Sequence, residues 1–544
     1  MKKSILFIVA LSFILTQSCI RDQGNYDYLD INELQFVGFQ TANGVDVLMG
    51  QSPTSPINID NPEERFTFIP VIRTSMETEE NLVFSWLTMD TLSQRTTFHE
   101  GRNFVDTVFP RHWSGDPWLV FRIEDTVSRK ILDTRLFVNA INPFESGLMV
   151  LQEDANGYMR LDMLSWRPGI WQSEADDGRF GYSHMTNVLE NTDFPRQRGA
   201  RRIVTFSDHI QSVAFGRRAI YIVTDDVDVY RLHPETFEWT GEAGHLRNAF
   251  LSPAFFPPNN SRVSSIFVDG PASTVAMLNM EGRLFQQAMG RFFSVELNTR
   301  PNRERFTASP HISFVGQRYL VFDEDTRSFY GLLPAQNSWS IPLPESAETY
   351  TSFRNMGMNL VFSQAATTSV GAATAEQHVS YNILREDANP DNFWILGLVM
   401  ENWTQNAWHQ ITNAPNGFEN ALMAVGGEFV DRRMYVAINN VVFIYDVPNR
   451  SFQPALTLPP GEEITYIGFV RNTRYFGPND DGYHGFDAHR LLLVASFNPA
   501  TGGTLAHYSI PLVPGVGLQP YVNSRTRQRH QWTGFGRITD VFDR

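Results

Sequence analysis

The densest group of potential metal ligands in this 544-residue chain is His484-Gly485-Phe486-Asp487-Ala488-His489. Two imidazoles and a carboxylate so close together could close on a zinc ion through nitrogen and oxygen donors. The run lies in a Gly- and Asp-rich stretch, and hairpin loops gather these residue types for reasons of backbone conformation alone. A solvated turn is the plainer reading of His484, Asp487 and His489. Oxygen-rich runs at Asp225, Asp226 and Asp228, and at Asn479, Asp480 and Asp481, offer donors for calcium. Neither supplies the complete ligand spacing of an EF-hand loop. The chain is therefore expected to need no cofactor, with calcium in these loops as the alternative.

Catalytic signatures are scarce. The sequence carries no HExxH zinc motif and no GxSxG nucleophile elbow. Gly515-Val516-Gly517 is too short for a dinucleotide loop and lacks the third glycine. Two carboxylates could serve as the acid and nucleophile of a glycosidase, but with 59 Asp and Glu residues sequence spacing cannot choose a pair. Aromatic residues make up 13% of the chain, and Trp394, Trp403, Trp408, Trp166 and Trp171 are candidates for stacking on sugars or peptides. The competing role for each tryptophan is to fill space between packed sheets. A binding protein is expected rather than an enzyme.

One residue has a more specific chemistry. Lys2 and Lys3 precede an apolar run from Ile5 to Leu15, which ends in Thr16-Gln17-Ser18-Cys19. A run of that length is too short to span a bilayer, which takes roughly 20 apolar residues, and has the size of a signal-peptide core. Cys19 is the only cysteine in the chain, so it has no internal disulfide partner. The segment resembles a bacterial lipobox, departing from it at Thr16, where leucine is preferred. The resemblance implies cleavage before Cys19 and attachment of lipid to its sulfur. Several acyl chains on one residue anchor a protein stably where a single chain does not.

The remainder reads as a water-facing body. The formal net charge is −15, and removal of residues 1–18 takes away Lys2 and Lys3 and leaves −17. So acidic a surface repels phosphate backbones, which argues against a nucleic-acid partner. The length exceeds what one ordinary core supports. After a polar tether over residues 19–30, residues 31–142 show period-two strands such as Leu82-Val83-Phe84-Ser85-Trp86-Leu87, and Ile131 to Val138 reads as the last strand of a hairpin. Turn signals roughly every ten residues predict a β-sandwich of immunoglobulin type with Trp86 as its core anchor. Pro143 marks the boundary.

Residues 143–544 repeat weakly, as an apolar strand, a turn, two further strands and often a tryptophan. Copies begin at Ile210, His311 and Leu422, with similar units near Gly147, Ser264, Ser352 and Ile464. Short strands at a period of roughly 40–60 residues predict a β-propeller. Seven blades fit best, six or eight remain open, and Trp532 to Ile538 is expected to close the ring.

The run Gly24-Asn25-Tyr26-Asp27-Tyr28 followed by Ile31-Asn32-Glu33, just after a lipid cysteine, is similar to the start of PKD-like family lipoproteins. The resemblance extends through Leu82 to Trp86, Ile123-Glu124-Asp125, Asn142 to Leu148 and Gly534 to Ile538. It implies an outer-membrane lipoprotein facing the cell exterior, a non-catalytic partner of a SusC/SusD-type nutrient importer that captures a glycan or peptide. It transfers no catalytic residue. The alternative is a surface hydrolase acting on glycans or peptides at the propeller channel.

Overall fold

A computed structural model describes residues 33–543 apart from a number of segments, the longest being 48–56, 109–117, 167–181, 208–217, 251–261, 366–377 and 470–490. The chain is all-β, built from many small, mainly antiparallel sheets, and the helices among the described residues are short 3-10 turns such as Phe418–Asn420. No helix among them is long and apolar enough to cross a membrane. The chain divides into two compact units after Ala140.

Among the described residues the smaller unit holds one two-stranded sheet and two four-stranded sheets. One is built around Leu34–Gln40 and Arg65–Thr74, the other around Leu82–Met89 and Trp118–Asp125. Alternation along Leu82–Met89 sends Val83 outward, half exposed, and Trp86 inward with none of its surface exposed. Trp86 stands directly opposite Phe121 on the neighbouring strand, their rings 4.9 Å apart, and Phe36 of the other sheet meets Phe121 at 5.9 Å. The two sheets thus share one aromatic core. The segment expected as a single strand from Ile131 to Val138 is divided between sheets. Ile131–Leu136 pairs with Trp118–Asp125, whereas Val138–Ala140 runs parallel to Ile57–Ile59.

Among the described residues the larger unit contains seven sheets in chain order. Their second strands carry continuous buried apolar runs, as in Arg433–Ile438 and the Leu491-to-Ser496 stretch of Leu491–Asn498. A strand buried on both faces needs packed layers on both sides, and neighbouring sheets supply them. The first strands of successive sheets touch. Asp540 accepts a hydrogen bond from the Ile203 backbone at 2.9 Å, and Arg202 lies over the Phe267 ring. Phe267 meets Phe314, Ser313 bonds Ser363 at 2.7 Å, and Gln364 accepts from the Val425 backbone at 3.0 Å. Leu422–Val425 lies against Glu463–Phe469, and Tyr466 donates to the Val541 carbonyl. The circuit returns to its start because Arg537–Asp543 pairs with Gly147–Glu153, joining the end of the chain to the first sheet of the unit.

That closure corrects the sequence expectation. Trp532 to Ile538 is not one strand. Gln531–Phe535 pairs with Gly502–Ser509 in the seventh sheet, and Arg537–Asp543 alone closes the circuit. Between them Gly536 comes so close to the Glu153 carbonyl that a Cβ would clash with it. The second sheet starts at Ala200–Ser207 rather than at Ile210, and the run Ile210 to Gly216 lies outside the described residues.

Candidate functional site

The fifth sheet runs Met358–Ala365, Val379–Glu386, Phe393–Val399, Thr404–Ile411, and its last strand is an edge. Along this edge opens a cavity of about 190 Å³, lined by Tyr350, Tyr381, Asn406, Ala407, Trp408, His409, Val447, Pro448 and Arg450. Three stretches of chain make its walls. The edge strand supplies the floor, the connection from the fourth sheet supplies Tyr350, and the turn after Val441–Asp446 in the sixth sheet supplies Val447 to Arg450. Gln405 pins the first wall: its side-chain amide donates to the Thr351 carbonyl at 2.7 Å and accepts from the Thr351 backbone at 3.1 Å.

The aromatic wall is held in place. Trp408 stacks on Trp394 with centroids 4.9 Å apart and ring planes 23° from parallel. The two stand as a diagonal cross-strand pair, within reach for side chains of this size. Trp394 is itself oriented, since its Nε1 donates to Glu386 Oε1 at 3.1 Å while Asn392 holds the other carboxylate oxygen at 2.8 Å. Tyr381 is buried beneath, and Tyr350 is 64% exposed at the rim. An exposed aromatic ring beside a cavity offers contact area to a ligand at little cost in conformational freedom.

The polar groups differ in how far they are satisfied. His409 Nε2 and the Tyr445 hydroxyl share a hydrogen bond of 2.8 Å. Burial, and secondarily the Arg450 charge, hold His409 below its ordinary pKa. Burial pushes the Tyr445 phenol up to about 12. Both are therefore neutral at physiological pH. The Asn406 Oδ1 atom is buried with no hydrogen-bond partner. Arg450 sits at a left-handed backbone position, φ 53°, in an exposed turn that an Asp446-to-Asn449 bond stabilises. Its guanidinium forms no ion pair among the described residues. Among the described residues no acidic side chain lines the cavity.

Other residues singled out from sequence fall elsewhere. Trp403 is a core residue, 7% exposed, at the hairpin turn before the edge strand. Asp225 lies 3.5 Å from Arg201. Cys19, His484, Asp487, His489, Asp226, Asp228, Asn479, Asp480, Asp481, Trp171 and the Trp166 side chain lie outside the described residues. Among the described residues no three His, Cys, Asp or Glu side chains converge on a metal-sized site. Trp408 was visible in the sequence as a candidate; Tyr350, Asn406, His409 and Arg450 were not. They are far apart in the chain, and only the turn signal of Pro448-Asn449 hinted that Arg450 would be presented.

No protein-family model matches the chain, and no curated protein matches it in sequence. Solved structures match over long stretches at low similarity. The yeast heterotrimeric Nup82-Nup159-Nup116 nucleoporin complex aligns at 9% identity and a TM-score of 0.35, covering 67% of this chain and 97% of that one. The extracellular domain of a putative one-component system, BT4673 from B. thetaiotaomicron, aligns at 9% identity and a TM-score of 0.29, covering 89% and 67%. Porphyromonas gingivalis dipeptidyl peptidase 4 aligns at 12% identity and a TM-score of 0.21, covering 60% and 41%.

Proposed function

We propose that this protein is a lipid-anchored surface lipoprotein of the outer membrane that captures a glycan without cleaving it, as a subunit of a SusC/SusD-type nutrient importer. In this reading the smaller unit is an immunoglobulin- or PKD-like sandwich. The larger unit is a seven-bladed propeller, each sheet a blade, closed by Arg537–Asp543. Support for the propeller is the circuit of first-strand contacts and the pairing of chain end with chain start, which removes a sheet edge. Support for the anchor is the signal-like segment ending at Cys19.

The observation that carries the binding reading is the Trp408 cavity. Its aromatic wall is fixed by Glu386 and Trp394 before any ligand arrives, so little ordering is left to be done on binding. Its volume is small against the roughly 300–1,000 Å³ of pockets that enclose a drug-sized molecule, which suits one sugar unit of a longer chain lying across the surface. Among the described lining residues nothing pairs a nucleophile with an acid or base in the manner hydrolysis requires, since His409 is hydrogen-bonded to the Tyr445 phenol.

Two experiments test this reading. Full-length protein in mild detergent, titrated with a panel of mono- and oligosaccharides, is expected to show saturable tryptophan quenching by some members, and Trp408→Phe is expected to reduce it. Cys19→Ala protein is expected to leave the membrane fraction. Membrane retention of that variant at the wild-type level would remove the anchor from the account.

A further inference from the structure

We infer that the Trp408 cavity selects a sugar that carries a carboxylate, a hexuronic acid unit, over the corresponding neutral sugar. The inference rests on the binding reading above and names the ligand class of that site. Charge is the first argument. The chain has 59 acidic residues against 44 basic ones, yet among the described residues lining this cavity Arg450 is the only charged one. Arg450 lines the cavity from an exposed turn, and its guanidinium forms no ion pair among the described residues. Guanidinium binds carboxylate through two parallel N–H···O bonds, a geometry that lysine or a neutral donor does not reproduce.

Neutrality around Arg450 is the second argument. His409 stays uncharged through burial and the proximity of Arg450, and the Tyr445 phenol keeps its proton. A ligand carboxylate therefore meets the Arg450 charge, with no acidic side chain among the described lining residues and Asp446 acting on Tyr445 from behind the lining. The third argument is the aromatic lining. The rings of Trp408 and Tyr350 offer apolar faces to the C–H side of a pyranose, while the carboxylate turns towards Arg450. An aliphatic acid would use Arg450 but waste the rings, and a neutral hexose would use the rings but leave the guanidinium unanswered.

The test uses three probes on the full-length lipoprotein in mild detergent: galacturonic acid oligosaccharides, their methyl esters, and galactose oligosaccharides of equal length. Tryptophan fluorescence reads binding at each ionic strength. The acid form is expected to bind more tightly than ester or neutral form by about tenfold or more, the scale of one charge-assisted contact, with the advantage shrinking as salt rises. Arg450→Gln is expected to erase that preference, bringing the acid form down to the affinity of the ester and neutral forms. Arg450→Lys is expected to restore part of it. Tyr350→Ala, at an exposed position, is expected to weaken all three probes together. Equal affinity for acid and ester, or a preference that survives Arg450→Gln, would overturn the acidic-sugar inference and leave glycan capture standing. Absence of binding by every probe and by the wider saccharide panel would overturn both.

Discussion

Two histidines of the larger unit are surrounded by aromatic rings and polar hydrogen-bond partners, but only one adjoins open space. His409 lies on the edge strand of the fifth sheet, bonded to Tyr445, with Trp408 next to it and the cavity before it. His507 lies in the third strand of the seventh sheet, 1% exposed, with Nδ1 3.3 Å from Nδ1 of His530. Its ring meets Tyr521 at 6.5 Å and Trp532 at 5.5 Å, both edge-on. In the seventh sheet the aromatic rings are consumed by one another. In the fifth they stop at a cavity, and a cation waits at its mouth. Aromatic content alone therefore does not single out a candidate site in this protein; the cavity beside Arg450 is what separates the fifth sheet from the seventh.

The contrast can be broken most forcefully by the same substitution at both histidines. His507→Ala empties space inside a sealed core and is expected to cost about 2–4 kcal/mol of stability, as core truncations do. His409→Ala removes one hydrogen bond beside a space that already exists and is expected to cost about 1 kcal/mol. Denaturant midpoints measure both, and equal losses would mean that the cavity is no more open than the core.

Acid sharpens the same comparison. Burial, then the neighbouring His530, holds His507 well below its ordinary value of 6.5. The folded protein thus keeps this ring neutral while the unfolded chain protonates it below about pH 6.5. Stability present at neutral pH is therefore lost as pH falls, at up to ~1.4 kcal/mol per pH unit for this group. Thermal melts from pH 7.5 to 5 should show the decline, and His507→Gln should reduce its slope. His311 and His409, also lowered by burial, leave a smaller residual dependence. An undiminished slope in His507→Gln would place the acid sensitivity elsewhere.

Some of this was legible in the residues. The second strands of the sheets were readable because burial on both faces writes a continuous apolar run, as at Arg433–Ile438. The first strand of the second sheet was misplaced, since Ala200–Ser207 mixes Arg201, Arg202 and Thr205 into its sequence and loses that signal. Closure was misjudged by a few residues because Gly534-Phe535-Gly536 interrupts what reads as one strand. Trp403 and Trp408 could not be told apart: five residues apart, one turns into the core and the other to the cavity. That cavity was beyond reach, since Tyr350, Tyr381, Asn406 and Arg450 meet only through the packing of three successive sheets.

Smaller effects are expected where the site is held rather than formed. Glu386→Gln keeps the shape of the side chain but weakens its bonds to Trp394 and Asn392. Stability should fall by about 0.5–1.5 kcal/mol, and saccharide affinity should fall modestly as the Trp394–Trp408 stack loosens. Smallest of all is Arg450→Gln, expected to change stability by no more than about 0.5 kcal/mol, because the side chain is exposed and makes no ion pair among the described residues. A larger loss would show that Arg450 serves the fold rather than a ligand.

The claim that this surface captures a sugar without cutting it is tested most directly by reading binding and products in one tube. Full-length protein is incubated with the oligosaccharide that quenches its tryptophan fluorescence best, and the mixture is followed by mass spectrometry for a day. Saturable quenching that Trp408→Phe diminishes, with the oligosaccharide recovered at its original length, is the predicted result. Shortened products that accumulate with enzyme-like turnover, or quenching indifferent to Trp408, would contradict it.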